Sequence, residues 1–170
     1  MRKTSALITI ITLLTALNLN AQDYFKQAGV RTGIRGGLFF QATSGAGNAE
    51  IGYNAMVGFN NNGIQLTGLR IIYETALSDI SPDLYFGWGY GAHGGFIITD
   101  HISYFGERYS FQGDRFCPLI GADGYVAAEY RFHDIPLILS INIKPFVELT
   151  IPAFVRVMPG DVGISVSYVF

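Results

Sequence analysis

Apolar side chains alternate with glycine or polar residues along four segments of this chain, and each segment ends on a phenylalanine. The four ends are Phe59, Phe96, Phe132 and Phe170, which lie 37, 36 and 38 residues apart. A period of two residues is that of a β-strand, whose successive side chains point to opposite faces. The pattern therefore predicts β-strands that each have one apolar face.

A unit of about 37 residues is too short for a domain but suits two strands joined by a turn. Four such units cover residues 22–170 and predict eight strands. Strands that end on the phenylalanines are predicted at 51–59, 84–96, 120–132 and 162–170. Strands in the opposite direction are predicted at 30–42, 64–75, 102–112 and 137–149. Short turns such as Asn60 to Gly63 are expected at one end of the molecule and longer polar loops at the other.

The first 21 residues have the layout of a cleaved secretory signal. Arg2 and Lys3 precede an apolar stretch over residues 6–17, and the small residue Ala21 stands before Gln22. A membrane-spanning helix needs about 20 apolar residues, and this stretch is shorter. We therefore expect residues 1–21 to be a signal peptide and residues 22–170 to form one exported domain.

The face opposite the apolar one indicates which way the strands are turned. It carries a series of glycines, namely Gly33, Gly37, Gly87, Gly89, Gly91, Gly95, Gly121 and Gly163. Glycines on a water-facing surface would weaken the strands without any gain, whereas inside a narrow barrel they leave room for long polar side chains. Charged residues are also only 14% of the chain, against roughly 25% in ordinary soluble domains. The sequence thus predicts an all-β fold, an eight-stranded antiparallel up-and-down transmembrane β-barrel with its apolar face towards lipid.

Aromatic residues at strand ends have a further meaning in such a barrel, because they favour the membrane interface. If the four phenylalanine-terminated strands end on the same side, their aromatic residues form a belt at one interface. The predicted belt consists of Phe59, Phe96, Phe132, Tyr168 and Phe170.

The last nine residues, VGISVSYVF, resemble the terminal strand signal of outer-membrane proteins, with apolar residues at alternate positions and a final aromatic one. Further stretches are similar to small outer-membrane β-barrel proteins of Bacteroidetes, the general outer-membrane β-barrel family. They are residues 33–37 in the predicted first strand, 89–93 in the fourth, 121–132 in the sixth and 135–145 in the seventh. The resemblance covers most of the exported domain except about residues 97–116. It implies an outer-membrane location and recognition of the C-terminal strand by the outer-membrane assembly machinery, without implying an activity.

The polar face predicts a charged lumen in which cations and anions balance. The cations are Arg35, Arg70, Arg131 and Lys144, and the anions are Glu74, Asp123, Glu129 and Glu148, with the positions of Arg70 and Glu74 left open. A selective pore usually keeps a surplus of one sign at its constriction, whereas a filled lumen needs paired charges. The balance favours a plugged interior. Pro145 lacks a backbone donor, so we expect a bulge at that position.

His93 shares the polar face and could meet Asp123 or Glu129, which would supply half of a catalytic triad. Neither Ser165 nor Ser167 has the sequence context of a nucleophile, so a structural histidine is the favoured reading. The predicted lumen network is Arg35, His93, Asp123, Glu129, Arg131 and Lys144.

The sequence thus predicts a non-enzymatic structural or interaction scaffold in the cell outer membrane, with no cofactor and no metal site. Its expected partners are outer-membrane lipid and lipopolysaccharide and the assembly machinery. Nucleic acid is excluded because the net charge is −2 and no basic block occurs. A small pore and a lipid-modifying enzyme are the two alternatives.

Deletion of Phe170 is expected to slow membrane insertion, because it removes the final aromatic residue of the terminal strand. The measurement is the amount of protein in purified outer membranes at fixed times after induction. Unchanged outer-membrane levels would contradict the assignment of this strand as the assembly signal.

Overall fold

The computed structural model describes residues 24–45, 49–60, 62–75, 77, 79–104, 107–151 and 154–170. The predicted signal peptide lies outside the described residues. The described part of the chain forms ten β-strands: β1 (Tyr24–Arg31), β2 (Gly37–Ser44), β3 (Ala49–Asn60), β4 (Gly63–Glu74), β5 (Leu84–Tyr104), β6 (Glu107–Arg131), β7 (Leu137–Ile143), β8 (Phe146–Thr150), β9 (Phe154–Met158) and β10 (Val162–Val169). Among these residues, no helix is long and apolar enough to cross a membrane.

The strands form a closed antiparallel barrel. Consecutive strands from β1 to β6 are paired in chain order, β6 pairs with β7 and β8, β7 pairs with β10, and β10 returns to β1. Strands β7 and β8 are two halves of one wall strand, as are β9 and β10, so the wall has eight strands. The predicted all-β, eight-stranded antiparallel fold is confirmed.

Two of the predicted strands are nevertheless wrong, and the two errors cancel in the count. Residues 32–36 form a turn between β1 and β2, where the prediction had one strand over 30–42. Gly33 has a φ of 145° there, which glycine adopts without strain. The predicted fifth strand over 102–112 does not exist as a separate wall strand, because β5 runs to Tyr104 and β6 starts at Glu107. Both strands continue beyond the wall as one paired ribbon.

The corrected strand directions place the predicted aromatic belt at both ends of the barrel. The terminal end, as we call it, is where β1, β3, β5 and β7 begin and β10 ends, and the loop end is where β1, β3, β5 and β8 end. Phe59 and Phe96 lie towards the loop end, whereas Phe132, Tyr168 and Phe170 lie at the terminal end. The prediction that all five aromatic residues lie at one end of the barrel is therefore wrong. The predicted sorting of connections also fails, because the short turn expected at 133–136 and the longer loop expected at 77–82 both join strands at the terminal end.

The polarity of the two faces is as predicted. Trp88 and Ile164 are on the outer face with 41% and 51% of their surface exposed, while Asp123 in the lumen is 4% exposed. Apolar side chains thus cover the outside, while the buried charged, amide and hydroxyl side chains lie inside together with an apolar cluster of Leu69, Ile71, Tyr73, Tyr125 and Ala127. This arrangement is opposite to that of a water-soluble barrel, which has an apolar interior and a polar surface.

Glycines make room for large lumen side chains, as the sequence predicted. A Cβ atom on Gly87 would lie 2.8 Å from the ring of Tyr73, and one on Gly163 would lie 2.8 Å from Cζ of Arg31. A Cβ atom on Gly121 would overlap the ring of His93. Gly37, Gly89 and Gly95 differ, because the atoms nearest to an added Cβ there belong to the backbone of a neighbouring strand. Gly33 lies in the β1–β2 turn instead of in a strand.

The bulge predicted at Pro145 is absent on the β6 side. Val126 pairs with Ile143 and Asp123 with Phe146, so two residues lie between these pairs on both strands. The carbonyl of Pro145 still accepts a hydrogen bond from the Gly124 amide at 2.8 Å, and Gly124 has no side chain to crowd the proline ring. The irregularity lies on the other side, where residues 159–161 separate β9 from β10 and hold one residue more than the opposing gap.

Replacement of Gly87 by alanine is expected to lower the free energy of unfolding by about 1–3 kcal/mol, because the new methyl group overlaps the buried Tyr73 ring. Urea titration of the refolded protein in lipid vesicles measures the change. Gly68→Ala is the matched control, since a Cβ atom there meets nothing within 4 Å. Equal stability of the two variants would contradict this account of the lumen glycines.

Candidate functional site

A buried chain of ion pairs occupies the loop-end half of the lumen. His93 Nδ1 lies 2.7 Å from Asp123 Oδ2, and His93 Nε2 lies 3.2 Å from Glu148 Oε2. Lys144 Nζ donates to the second oxygen of Asp123 at 2.8 Å. Arg35 Nη1 lies 2.6 Å from Glu148 Oε2. We call these five residues the His93 cluster, and all of them are buried.

The register of β6 explains why this cluster can form. Gly121 on β6 pairs with His93 on β5 and with Glu148 on β8. Because Gly121 has no side chain, the side chains from the two flanking strands meet above it. Each ring nitrogen of His93 then faces a carboxylate oxygen, an arrangement that a doubly protonated imidazolium satisfies with two donated hydrogen bonds.

An aromatic ring supports the cations of the cluster from one side. The Arg35 guanidinium carbon lies 4.4 Å from the ring centroid of Phe146, and Lys144 Nζ lies 5.3 Å from it. His93 meets the same ring edge to face at a centroid distance of 5.7 Å. Cation–π contacts of this kind strengthen when they are removed from water. Phe146 therefore fixes the Arg35 side chain, which comes from a turn, inside the lumen.

A second buried ion pair was missed by the sequence analysis. Arg31 Nη1 donates to Asp161 Oδ2 at 3.1 Å, and Arg31 Nε donates to Asn142 Oδ1 at 2.7 Å. The other carboxylate oxygen of Asp161 accepts from the Ile34 amide at 2.9 Å. The pair ties the β1–β2 turn to the β9–β10 irregularity. Two features of the sequence could have indicated this pair. Arg31 lies two residues before Gly33 and therefore shares the predicted polar face, and Gly163 on that face has no side chain.

The terminal-end half of the lumen holds Glu129 and Arg131. Arg131 Nε donates to Glu129 Oε1 at 3.0 Å and its Nη1 donates to Glu50 Oε2 at 2.8 Å. The guanidinium carbon lies 3.8 Å from the ring centroid of Tyr85. Glu50 was not among the predicted lumen residues.

Arg70 and Glu74, whose placement the sequence left open, lie on the outer face. Alternation along β4 continues without a break, so Gln65, Thr67 and Leu69 point inwards. Arg70 Nη1 donates to the Tyr90 hydroxyl at 3.3 Å, and Trp88 Nε1 donates to Glu74 Oε1 at 3.0 Å. Neither charge belongs to the lumen.

Little free volume remains between the two halves of the lumen. One cavity there, bordered by Gln27, Gln41, Tyr73, Ser140 and Lys144, measures about 20 Å³. That is room for about one water molecule. The described part of the barrel is filled by its own side chains at this level.

Both ring nitrogens of His93 face carboxylates, so neither of them contacts a nucleophile. The two serines that the sequence argued against as nucleophiles have other partners: the Ser165 hydroxyl accepts from Asn142 Nδ2 at 3.0 Å, and Ser167 Oγ donates to Gln27 Oε1 at 2.5 Å. Within the described residues, no group of three or more His, Cys, Asp and Glu side chains is arranged to hold a metal ion.

Comparison with solved structures finds the same fold. The chain is similar to the N-terminal β-barrel domain of Pseudomonas aeruginosa OprF, with a TM-score of 0.54 and 10% sequence identity over 89% of this chain and 100% of that domain. No protein-family model matches the chain. No curated protein matches it either. At this identity the likeness concerns the architecture.

Asp123→Asn is expected to lower the free energy of unfolding by about 3–5 kcal/mol, because it leaves the buried Lys144 ammonium without an ionised partner. Urea titration in vesicles measures the loss. Asp100→Asn is the matched control, since its ion pair with His101 is exposed and is worth at most about 1 kcal/mol. Adding Lys144→Met to Asp123→Asn should recover part of the loss. An Asp123→Asn barrel as stable as the wild type would contradict the assigned pairing.

Proposed function

We propose that this chain is an integral outer-membrane β-barrel protein that acts as a non-enzymatic scaffold with a plugged lumen. The observation that carries the proposal is the reversed polarity of the barrel, apolar outside and ionic inside. A non-enzymatic role rests on the pairing of the lumen charges with one another and on the contacts of Ser165 and Ser167 away from His93.

The outer wall supports membrane insertion. Its exposed side chains include Leu38, Tyr53, Leu66, Trp88, Ile120, Ile141, Val147, Ile164 and Tyr168. Monomeric soluble proteins rarely expose a contiguous apolar patch of more than a few hundred Å². The closed ring also pairs the backbone groups of neighbouring strands, which is the requirement for a β-structure in hydrocarbon. Outer-membrane lipid and lipopolysaccharide are the partners that fit this surface.

The proposal includes a location in the outer membrane and a route by which the chain reaches it. A signal peptide over residues 1–21 would export the chain, and the β10 strand with Phe170 would engage the assembly machinery. In outer-membrane barrels the longer connections lie outside the cell. The β5–β6 ribbon is a long extension beyond the loop end of the wall, so we place the loop end outside and the terminal end, with the start of β1 and the C-terminus, in the periplasm.

The filled lumen supports a scaffold over a pore. An aqueous channel needs a continuous path for water and ions, whereas here the His93 cluster and the Arg131 contacts occupy the two halves of the lumen. The cations and anions also neutralise one another, so no field of one sign remains to select permeating ions. The β5–β6 ribbon and the loop-end turns are the parts that can meet partners outside.

The refolded protein in a planar lipid bilayer is expected to insert without steady ion conductance, because its lumen is blocked. Insertion is checked first by a shift in migration between heated and unheated samples on a denaturing gel. Gly91→Trp would fill the lumen further, and Gly94→Trp places the same side chain on the outer face of the same strand. Steady conductance in the wild type and in Gly94→Trp that is abolished in Gly91→Trp would replace the scaffold by a pore.

A further inference from the structure

One charged side chain stands on the outer wall, away from the rims of the barrel. Arg70 lies on β4, four residues from the strand end at Glu74 and seven from its start at Gly63. On the proposed function this position faces lipid. A charge on the lipid-facing wall is costly, so its presence there points to a ligand that compensates it.

Arg70 has two tyrosine neighbours and lies beside a shallow groove lined by small residues. Tyr53 on β3 and Tyr90 on β5 are its paired neighbours, and both are more than half exposed. Beside them, Ala55 and Gly68 line a groove of about 390 Å³ on the outer wall. A Cβ atom on Gly68 would meet nothing within 4 Å, so the groove is open from outside.

These groups match the parts of an anionic phospholipid. A guanidinium has five donors, and the two phenol oxygens beside it cannot accept from all of them, so donors remain for a phosphate. The phenol hydroxyls can donate to the same phosphate. The groove over Gly68 and Ala55 has no projecting side chain and can take an acyl chain.

We propose that Arg70, Tyr53 and Tyr90 form a binding site for an anionic phospholipid on the outer wall of the barrel. The site lies closer to the terminal end, so the lipid belongs to the periplasmic leaflet. Arginine side chains can extend along the wall towards that interface while their alkyl stems stay in the apolar layer. This inference rests on the proposed membrane insertion and adds a specific lipid contact to it.

The chain contains a reporter for this site. Trp88 is its single tryptophan, and it lies on the outer face of β5 two residues from Tyr90. The experiment measures quenching of Trp88 fluorescence in vesicles that contain brominated phosphatidylglycerol or brominated phosphatidylcholine. The ratio of the two quenching constants gives the preference for the anionic lipid.

The wild type is expected to prefer phosphatidylglycerol. Arg70→Gln is expected to reduce this preference about tenfold, because the variant loses one charge-assisted hydrogen bond to the phosphate. Tyr90→Phe should reduce it less. Arg115→Gln, in the β5–β6 ribbon, is the matched control and should leave the preference unchanged. Inorganic phosphate at the same concentration should not displace the lipid, because it lacks the acyl chain.

Three results would overturn the site. The first is equal quenching by both lipids in the wild type, and the second is an unchanged preference in Arg70→Gln. The third is full displacement by inorganic phosphate, which would make Arg70 a simple anion site. Failure of the proposed function looks different: Trp88 would then be quenched by neither lipid, because the wall would not face the bilayer.

Discussion

The pairing of charge inside a closed wall is the constraint on which the rest of the structure depends. A buried ion costs several kcal/mol unless a partner of opposite sign lies within contact distance. The described lumen meets this requirement with the His93 cluster, the Arg31–Asp161 pair and the contacts of Arg131. Glycines at positions such as Gly87 and Gly121 provide the volume in which the long side chains meet. The paired side chains therefore also fill part of the lumen, and the proposed scaffold role rests on this filling.

The outer wall follows from the same arrangement. Because the ring closes through the β1–β10 pairing, neighbouring strands satisfy one another and the wall needs no polar edge at this seam. The outward side chains are then free to be apolar. Arg70 is a charged exception on a wall otherwise rich in exposed Leu, Ile and Val. Its neighbours Tyr53 and Tyr90 place hydroxyl groups beside the guanidinium.

The sequence predicted the eight wall strands in number but misplaced two of them, for physical reasons that can be named. Alternation continues through residues 30–42 although the chain turns at 32–36, because a glycine-rich turn leaves no break in a period-two pattern. The missed turn reverses the direction of the strands that follow it. Phe59 and Phe96 therefore lie at the end opposite to the one predicted. The β5–β6 ribbon, which removes the predicted strand over 102–112, restores the direction for Phe132 and Phe170.

The polarity of each face was determined by the sequence alone, since side-chain alternation is a local property and glycine on one face already indicates crowding there. The partners inside were decided only by the tertiary structure. Arg31 and Asp161 are 130 residues apart, and His93 and Glu148 are 55 apart, so their contacts depend on the register of several strands at once. Register is a sum of turns, irregularities and strand ends around the ring, and an error of one residue at any of them changes which charges meet.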